Sequence, residues 1–255
     1  MRIEHECRTA VVLAAGGGTR VRSLTAERPK CLMDLGGRPI IDWILDSARA
    51  GGIDDVVIVT GFKAAVLERA VGDGTGRGLS IRYVRNRRWT EPNGISLHAV
   101  KPALRGRPFL AMMSDHLLPA GIIRKVARAR TSRCILAVDT DIDNVFDLSD
   151  ATKVRVKGGV PEAIGKKLRT YNAVDCGLFR FDSRVFAALE AAFRKGRQSL
   201  TDGVKILIAG GDLEVMPVAG GAAWIDIDTP RAYRYALKNI GTFLPGHAGG
   251  KGKRR

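Results

Sequence analysis

Short apolar runs, each followed by a stretch of helical spacing, set the tightest limit on what this chain can fold into. Residues 8–15, Asp55–Thr60 (DVVIVT), 108–113 and Cys134–Asp139 are almost continuously aliphatic, without the polar alternation of a half-exposed strand. Such strands must be covered on both faces, which is the condition of a parallel sheet under two helical layers. Between the runs, Ile40, Ile41, Ile44, Leu45 and Ala48 recur at helical spacing behind Pro39 and stop at Gly51-Gly52. Further helices are predicted over 63–71, 94–104 and 121–130, and another strand over 79–84. The prediction is an α/β fold: a Rossmann-like, mostly parallel central sheet with helices on both faces. After Thr140 the texture changes. Segments 153–156, 160–164 and 172–181 read as strands joined by turns, a small antiparallel β addition beside or over the parallel sheet. Helices at 184–194 and 200–209, strands at 213–218 and 222–227 and a closing helix at 231–243 complete the chain. No linker divides it, so residues 1–244 are expected to form a single domain, with 245–255 a basic, disordered tail.

Composition removes other classes. None of the apolar runs approaches the roughly 20 residues of a membrane helix, and the charged N-terminus MRIEHECR lacks the apolar stretch of a secretory signal. Cys7, Cys31, Cys134 and Cys176 are dispersed, with no CxxC pair, and read as reduced thiols of a cytoplasmic protein. Net charge is +16 at pH 7, of which the tail residues Lys251, Lys253, Arg254 and Arg255 supply four. That surplus suits an anionic partner: nucleic acid, acidic membrane or a small phosphorylated substrate.

The most specific local pattern lies where the first strand ends: Leu13-Ala14-Ala15-Gly16-Gly17-Gly18-Thr19-Arg20, continuing to Pro29-Lys30. A buried strand delivers three glycines to the carboxyl edge of a sheet, where ligands dock in open parallel sheets. Their bare backbone can turn N–H groups toward an anion, and Arg20 and Lys30 add full positive charges. Neither GxxxxGK[ST] nor GxGxxG occurs. LAAGGGTR followed by PK resembles the signature of the nucleotidyltransferases that make NDP-sugars and CDP-alcohols, although the triple glycine departs from the commoner G-x-G. Shorter segments in order, from EPNGISL (91–97) and MSDH (113–116) through ATKV (151–154), IGK (164–166) and VDCG (174–177) to WIDIDT (224–229), resemble the CTP:inositol-1-phosphate cytidylyltransferases over about residues 8–235.

This resemblance implies Mg2+-dependent transfer of a nucleotidyl group from CTP or another NTP to a phosphorylated polyol, giving CDP-inositol and pyrophosphate if the acceptor is inositol 1-phosphate. Such a reaction rests on positioning and positive charge. Leu13 to Thr19, with Asn93, Ser96 and Asp115, would bind the nucleotide. Arg20 would hold the leaving phosphates and Lys30 the α-phosphate. Asp115 and Asp226, with Asp228 behind them, would ligate the metal. Lys153 and Lys166 would neutralise the acceptor phosphate and Asp175 would bond its hydroxyls, with about 140–182 and 212–228 forming the acceptor part. Simpler readings exist for several: Asp115 as a helix cap, Asp228-Thr229-Pro230 as an N-cap before Pro, His116 and Asp175 as turn residues, Lys153 and Lys166 as solvated strand charges. The family is often fused to a CDP-alcohol phosphatidyltransferase embedded in membrane, so such an enzyme is an expected downstream partner of a stand-alone chain.

Alternative acceptors within the same chemistry are sugar 1-phosphates, phosphocholine and aminoethylphosphonate. The last two carry amines that call for an aromatic cage, and 153–181 holds only Tyr171, Phe179 and Phe181. From another class, Arg85-Asn86-Arg87-Arg88-Trp89 and the basic helix with Arg124, Lys125, Arg128 and Arg130 suit nucleic acid, but no helix-turn-helix, zinc finger or RNP-like element accompanies them. No specific nucleic-acid partner is expected.

Overall fold

The computed structural model describes residues 6–25, 28–218 and 224–243. β1 (Thr9–Ala14) is buried along its whole length. It pairs in parallel with β2 (Asp55–Thr60) on one side and, on the other, with β4 (Phe109–Met113); β3 (Ser80–Arg85) extends the sheet beyond β2. Past β4 come β9 (Ala173–Phe181), β6 (Cys134–Asp139) and the edge strand β10 (Leu213–Pro217), giving the order β10-β6-β9-β4-β1-β2-β3. The chain leaves β1 in one direction for β2 and β3, and returns to the other side of β1 for β4. The carboxyl ends of β1 and β4 therefore flank a crevice where strand order reverses, with Leu13 opposite Met113.

The antiparallel component is placed differently from the expectation. β9 is no addition beside the sheet: it runs antiparallel between β4 and β6, inside the main sheet. Only the hairpin of β7 (Lys153–Lys157) and β8 (Val160–Gly165) hangs off it, through the pairing of Lys153 and Val154 with Val174 and Ala173. β9 tolerates this position because buried apolar residues lie on both its faces, Cys176 and Leu178 on one and Ala173, Phe179 and Phe181 on the other, as a central strand requires. A separate two-stranded ribbon joins β5 (His116–Leu117) to β11 (Ile225–Asp226), antiparallel, with Asp226 opposite His116. β11 is shorter than the predicted 222–227, whose first residues lie outside the described set, as does the 245–255 tail.

Alternate residues of β1 enter two cores. Ala10, Val12 and Ala14 pack with Ile41, Ile44 and Leu45 of the Ile40–Ala50 helix and with Ile123 of the Ala120–Ala127 helix. Val11 and Leu13 face Leu97 of the Asn93–His98 helix, Leu189 of the Arg184–Phe193 helix and Val204 of the Leu200–Ala209 helix. Each such valine, leucine or isoleucine side chain contributes about 1.5–3 kcal/mol by leaving water. Two predicted helices are interrupted: 94–104 becomes Asn93–His98 and Lys101–Leu104, and 231–243 becomes Pro230–Lys238 and Ile240–Phe243. Pro102, inside the first of these, lacks the N–H that would continue a helix.

Candidate active site

Two cavities meet at the crevice. One, of about 360 Å³, is lined by Leu13 to Arg20, Lys30, Trp89, Asn93, Ser96 and Asp115. The other, of about 220 Å³, is lined by His116, Asp150, Lys166, Asp175, Gly177, Trp224 and Asp226. Asn93, Met113, Asp115 and Asp228 border both.

The glycine loop owes its shape to its neighbours. Gly18 sits at φ +60°, and a Cβ there would lie 2.7 Å from Lys30 Cβ, so loop and lysine pack backbone to side chain. Gly17, the middle glycine that departs from the commoner motif, lies against the Trp89 ring, 3.4 Å from where a Cβ would stand. Trp89 was read in the sequence only as part of a basic, aromatic stretch. Two of the arginines near it are engaged: Arg85 pairs with Glu68 and Arg88 with Glu91. In the basic helix Arg124 and Lys125 donate to the carbonyls of Ala50 and Pro217, and Arg128 pairs with Glu6.

Lys30 is buried, with Nζ 2.8 Å from Asp115 Oδ2 and 2.7 Å from Asp228 Oδ1. Arg20 pairs with Asp228 and, at 2.6 Å, with Asp150. Asp115 caps no helix; the Ala120–Ala127 helix has Pro119 at its N-cap. Thr229 is the cap of the Pro230–Lys238 helix, its hydroxyl accepting from the Ala232 N–H, and Pro230 occupies the first turn. Asp228 is thereby left to face both cations.

The β5–β11 ribbon carries Asp226 to Asp115, helped by the Ile227 N–H donating to the Asp115 carbonyl at 2.9 Å. Asp115, His116 and Asp226 each place a ligand atom within 4.8 Å of the others, and so do Asp150, Asp226 and Asp228. Asp226 Oδ1 is buried and has no hydrogen-bond partner among the described residues. Burial, with Asp115 adding to it, holds Asp226 above the ordinary carboxylate range against the pull of His116. Burial acts the same way on Asp115, but Lys30 and His116 outweigh it and keep that carboxyl well below its usual range. An orphaned buried carboxylate oxygen beside a second, ionised carboxylate is a donor set that fits a hard divalent cation. His116 bonds Asp115 Oδ1 through Nδ1 at 2.8 Å. Its ring stacks on Trp224 and rests against Gly177, where a Cβ would come within 2.4 Å of it. Burial would favour its neutral form, yet Asp226, Asp115 and Asp175 lift its pKa to about 9. Trp224 is fixed in turn by Asp139, through Nε1–H at 2.8 Å. The Trp of WIDIDT thus positions the histidine of MSDH.

The remaining sequence candidates divide. Ser96 lines the first cavity but its hydroxyl accepts from Asn86. Asn93 anchors the Leu200–Ala209 helix by accepting from the Leu200 N–H, and Gly94 permits this approach, since a Cβ would stand 2.4 Å from the Gln198 carbonyl. Lys166 reaches the second cavity and pairs with Asp150 at 2.9 Å. Asp175 faces the same cavity, its Oδ1 accepting from the Gly177 N–H, and burial pushes its pKa up to about 6. Lys153 is not brought to either cavity. It is buried at the start of β7 and donates to the Ser149 carbonyl. Of the described residues of 212–228, the second cavity takes Trp224, Asp226 and Asp228; β10 lies on the far edge of the sheet. Sequence reasoning missed Asp150, Asp139 and Trp89. No spacing marks Asp150, which bridges two cations that are 146 positions apart in the sequence.

The fold and crevice are those of a nucleotide-binding α/β transferase. The sequence matches the MobA-like NTP transferase domain over residues 10–205, and the chain belongs to that family. It is 34% identical over 91% of its length to the bifunctional IPC transferase and DIPP synthase of Rubrobacter xylanophilus, and 29% identical over 91% to that of Aquifex aeolicus. The chain spans about half the length of these relatives, 51% in each case. Among solved structures, the inositol-1-phosphate CTP transferase from T. maritima superposes with a TM-score of 0.79 at 24% identity, covering 92% of this chain and 97% of that one, a likeness of fold. Among the described residues, no helix is long and apolar enough to cross a membrane.

Proposed function

We propose that this chain transfers a cytidylyl group from CTP to inositol 1-phosphate. An acceptor phosphate oxygen bonds to the α-phosphorus as the bond from that phosphorus to the β-phosphate oxygen breaks, so that CDP-inositol forms and pyrophosphate leaves. The observation that carries the reading is the meeting of two cavities at Asp115 and Asp228 with the buried Lys30 between them. A glycine-lined cavity suits a nucleotide, one that presents Lys166 and Asp175 suits a phosphorylated polyol, and their shared border is where a phosphoryl centre must sit to be reached from both sides. The names of the R. xylanophilus and A. aeolicus relatives support the acceptor assignment.

In this reading the loop amides of Gly16 to Thr19 hold the triphosphate and Arg20 turns from its carboxylates to the leaving phosphates. Lys30, fixed by Asp115 and Asp228, presents its ammonium to the α-phosphate, where negative charge grows in the transition state. Trp89 walls the nucleotide side. Lys166 receives the acceptor phosphate, and Asp175 accepts from polyol hydroxyls. Asp115 and Asp226, the second still lacking a partner for Oδ1, would hold the magnesium ion. When bound, that ion would neutralise phosphate oxygens of the nucleotide. His116 keeps Asp115 oriented by its 2.8 Å bond. The product, an activated polyol diphosphate, suits a downstream CDP-alcohol phosphatidyltransferase.

The test is a matrix of nucleoside triphosphates against inositol 1-phosphate, sugar 1-phosphates, phosphocholine and aminoethylphosphonate, with Mg2+ and pyrophosphate release as readout. Fastest release is expected with CTP and inositol 1-phosphate. A preference for another pair replaces the substrate assignment, and silence across the matrix defeats the reaction.

A further inference from the structure

We propose that Asp150 is a positioning residue that couples the two cavities, its single carboxylate tying Arg20 of the nucleotide side to Lys166 of the acceptor side until a polyphosphate takes Arg20 away. The inference rests on the reading of the larger cavity as a polyphosphate site and is independent of which acceptor fills the other.

One oxygen of Asp150 accepts from Arg20 at 2.6 Å and the other from Lys166 at 2.9 Å. Arg20 lines the nucleotide cavity, while Lys166 and Asp150 line the acceptor cavity, so the carboxylate spans the crevice. The turn that carries it is anchored at its ends by other means. Phe146 stacks on Tyr235 at 4.3 Å with Arg231 over its ring, and Lys153 holds the Ser149 carbonyl. Between those anchors Asp147 is in the left-handed region at φ 58°, and the amides of Asp150 and Ala151 both donate to the Asp147 carbonyl.

A polyphosphate offers Arg20 more charge and more acceptor oxygens than one carboxylate does. Once Arg20 turns to it, Asp150 is left with Asp226 and Asp228, carboxylate oxygens of all three lying within 4.8 Å of one another, and one counter-charge has gone. Repulsion then favours withdrawal of Asp150. Lys166 is held to that carboxylate by a half-exposed ion pair worth little in water, so withdrawal of Asp150 releases it. Lys166 becomes available to an acceptor phosphate at the moment the nucleotide site fills. Linkage makes this reciprocal: an acceptor phosphate on Lys166 frees Arg20 by the same factor.

The test follows amide hydrogen exchange over 146–152 in the full chain, with and without inorganic tripolyphosphate in metal-free buffer, with saturation established by calorimetry. In the wild type, exchange at Asp150 and Ala151 is expected to rise about tenfold on binding. Asp150→Ala is expected to exchange fast from the start and not to respond, and Asp150→Glu to restore the response. A carboxylate that merely braced the turn would give the fast variant but no ligand response in the wild type, and that result overturns the proposal. So does a response in Asp150→Ala equal to the wild type's, or no heat of binding. Turnover with CTP and inositol 1-phosphate is assayed separately: a chain that responds to tripolyphosphate but does not turn over keeps the coupling and loses the substrate assignment.

Discussion

The two halves of the crevice are built in opposite ways. The nucleotide side is local: one strand end, one glycine turn and one short helical turn supply Leu13 to Arg20, with Lys30 ten positions later. Both cations that line it, Arg20 and Lys30, come from this one stretch. The acceptor side is collected from distant segments, with Asp115, Asp150, Lys166, Asp175 and Asp226 brought in by β4, a turn, β8, β9 and β11. Its acids are buried enough to move Asp175 up to about 6 and to hold Asp226 above its usual range. A polyphosphate is recognised by a generic feature that a short motif can encode. A particular acceptor needs side chains at particular points, and long-range packing supplies them. Buried acids on that side store unfavourable charge that substrate or cation relieves, so substitutions there should separate activity from stability, whereas those in the glycine loop should damage both.

The largest separation is expected at Asp226. Asp226→Ala removes a carboxylate that burial holds above its usual range even beside His116, so pyrophosphate release should fall about 10³-fold while the melting temperature of the metal-free protein holds or rises. Asp115→Ala should lose turnover to a similar extent but lower the melting temperature, because Lys30 and His116 lose their partner. Equal melting shifts in the two variants would break the comparison. Next comes Gly18→Ala. At φ +60° and 2.7 Å from Lys30 Cβ the methyl has no room, so the variant should lose about 1–3 kcal/mol by chemical denaturation. KM for the nucleotide should rise about tenfold with it. An unaltered midpoint would show that the loop absorbs a side chain.

This contrast also governs what could be read from the sequence. The alternation of apolar runs and helices fixes the parallel core because fully buried strands must be continuous in apolar residues, and LAAGGGTR marks the loop because its conformation is local. The insertion of β9 between β4 and β6 has no local mark: its residues read as a strand, but its direction and neighbours follow from the packing of the whole sheet. Lys153 and Lys166 begin and follow the two strands of one hairpin and look equivalent in sequence, yet one is buried on a carbonyl and the other reaches the cavity. Asp150 could not be found, because its role is set by cations that only the fold brings together. The sequence places Asp228 behind Asp226 as a metal ligand because it reads as a cap; in the structure Thr229 is the cap and Asp228 is the partner of both Lys30 and Arg20.

Asp175→Asn sharpens the comparison with a pH dependence. Burial raises the folded-state pKa of Asp175 from 3.8 to about 6, so its protonated form is the one the fold prefers. Its contribution to stability is therefore fully present below the unfolded value and is lost as pH rises through about 6. Asparagine keeps an oxygen for the Gly177 N–H and never ionises. Wild type and variant should be equally stable near pH 4, and by pH 8 the variant should be ahead by about 1–2 kcal/mol, a figure reduced for partial solvent exposure. The same variant should raise the acceptor KM about tenfold, because a hydroxyl then meets a neutral amide instead of a carboxylate. A stability difference independent of pH would assign Asp175 to the turn alone.

The smallest effects come from the lysine pair that sequence could not tell apart. Lys166 is half-exposed and its ion pair with Asp150 is worth little to the fold. Lys166→Met should therefore leave the denaturation midpoint within about 0.5 kcal/mol of wild type and raise the acceptor KM about fivefold, with the nucleotide KM changed less. Lys153→Met removes a buried donor from the Ser149 carbonyl, costing about 1–2 kcal/mol while leaving acceptor KM near the wild-type value. If the two variants exchange these signatures, with Lys153→Met raising KM and Lys166→Met unfolding early, the acceptor phosphate enters from the β7 side of the hairpin and the boundary of the acceptor cavity must be redrawn.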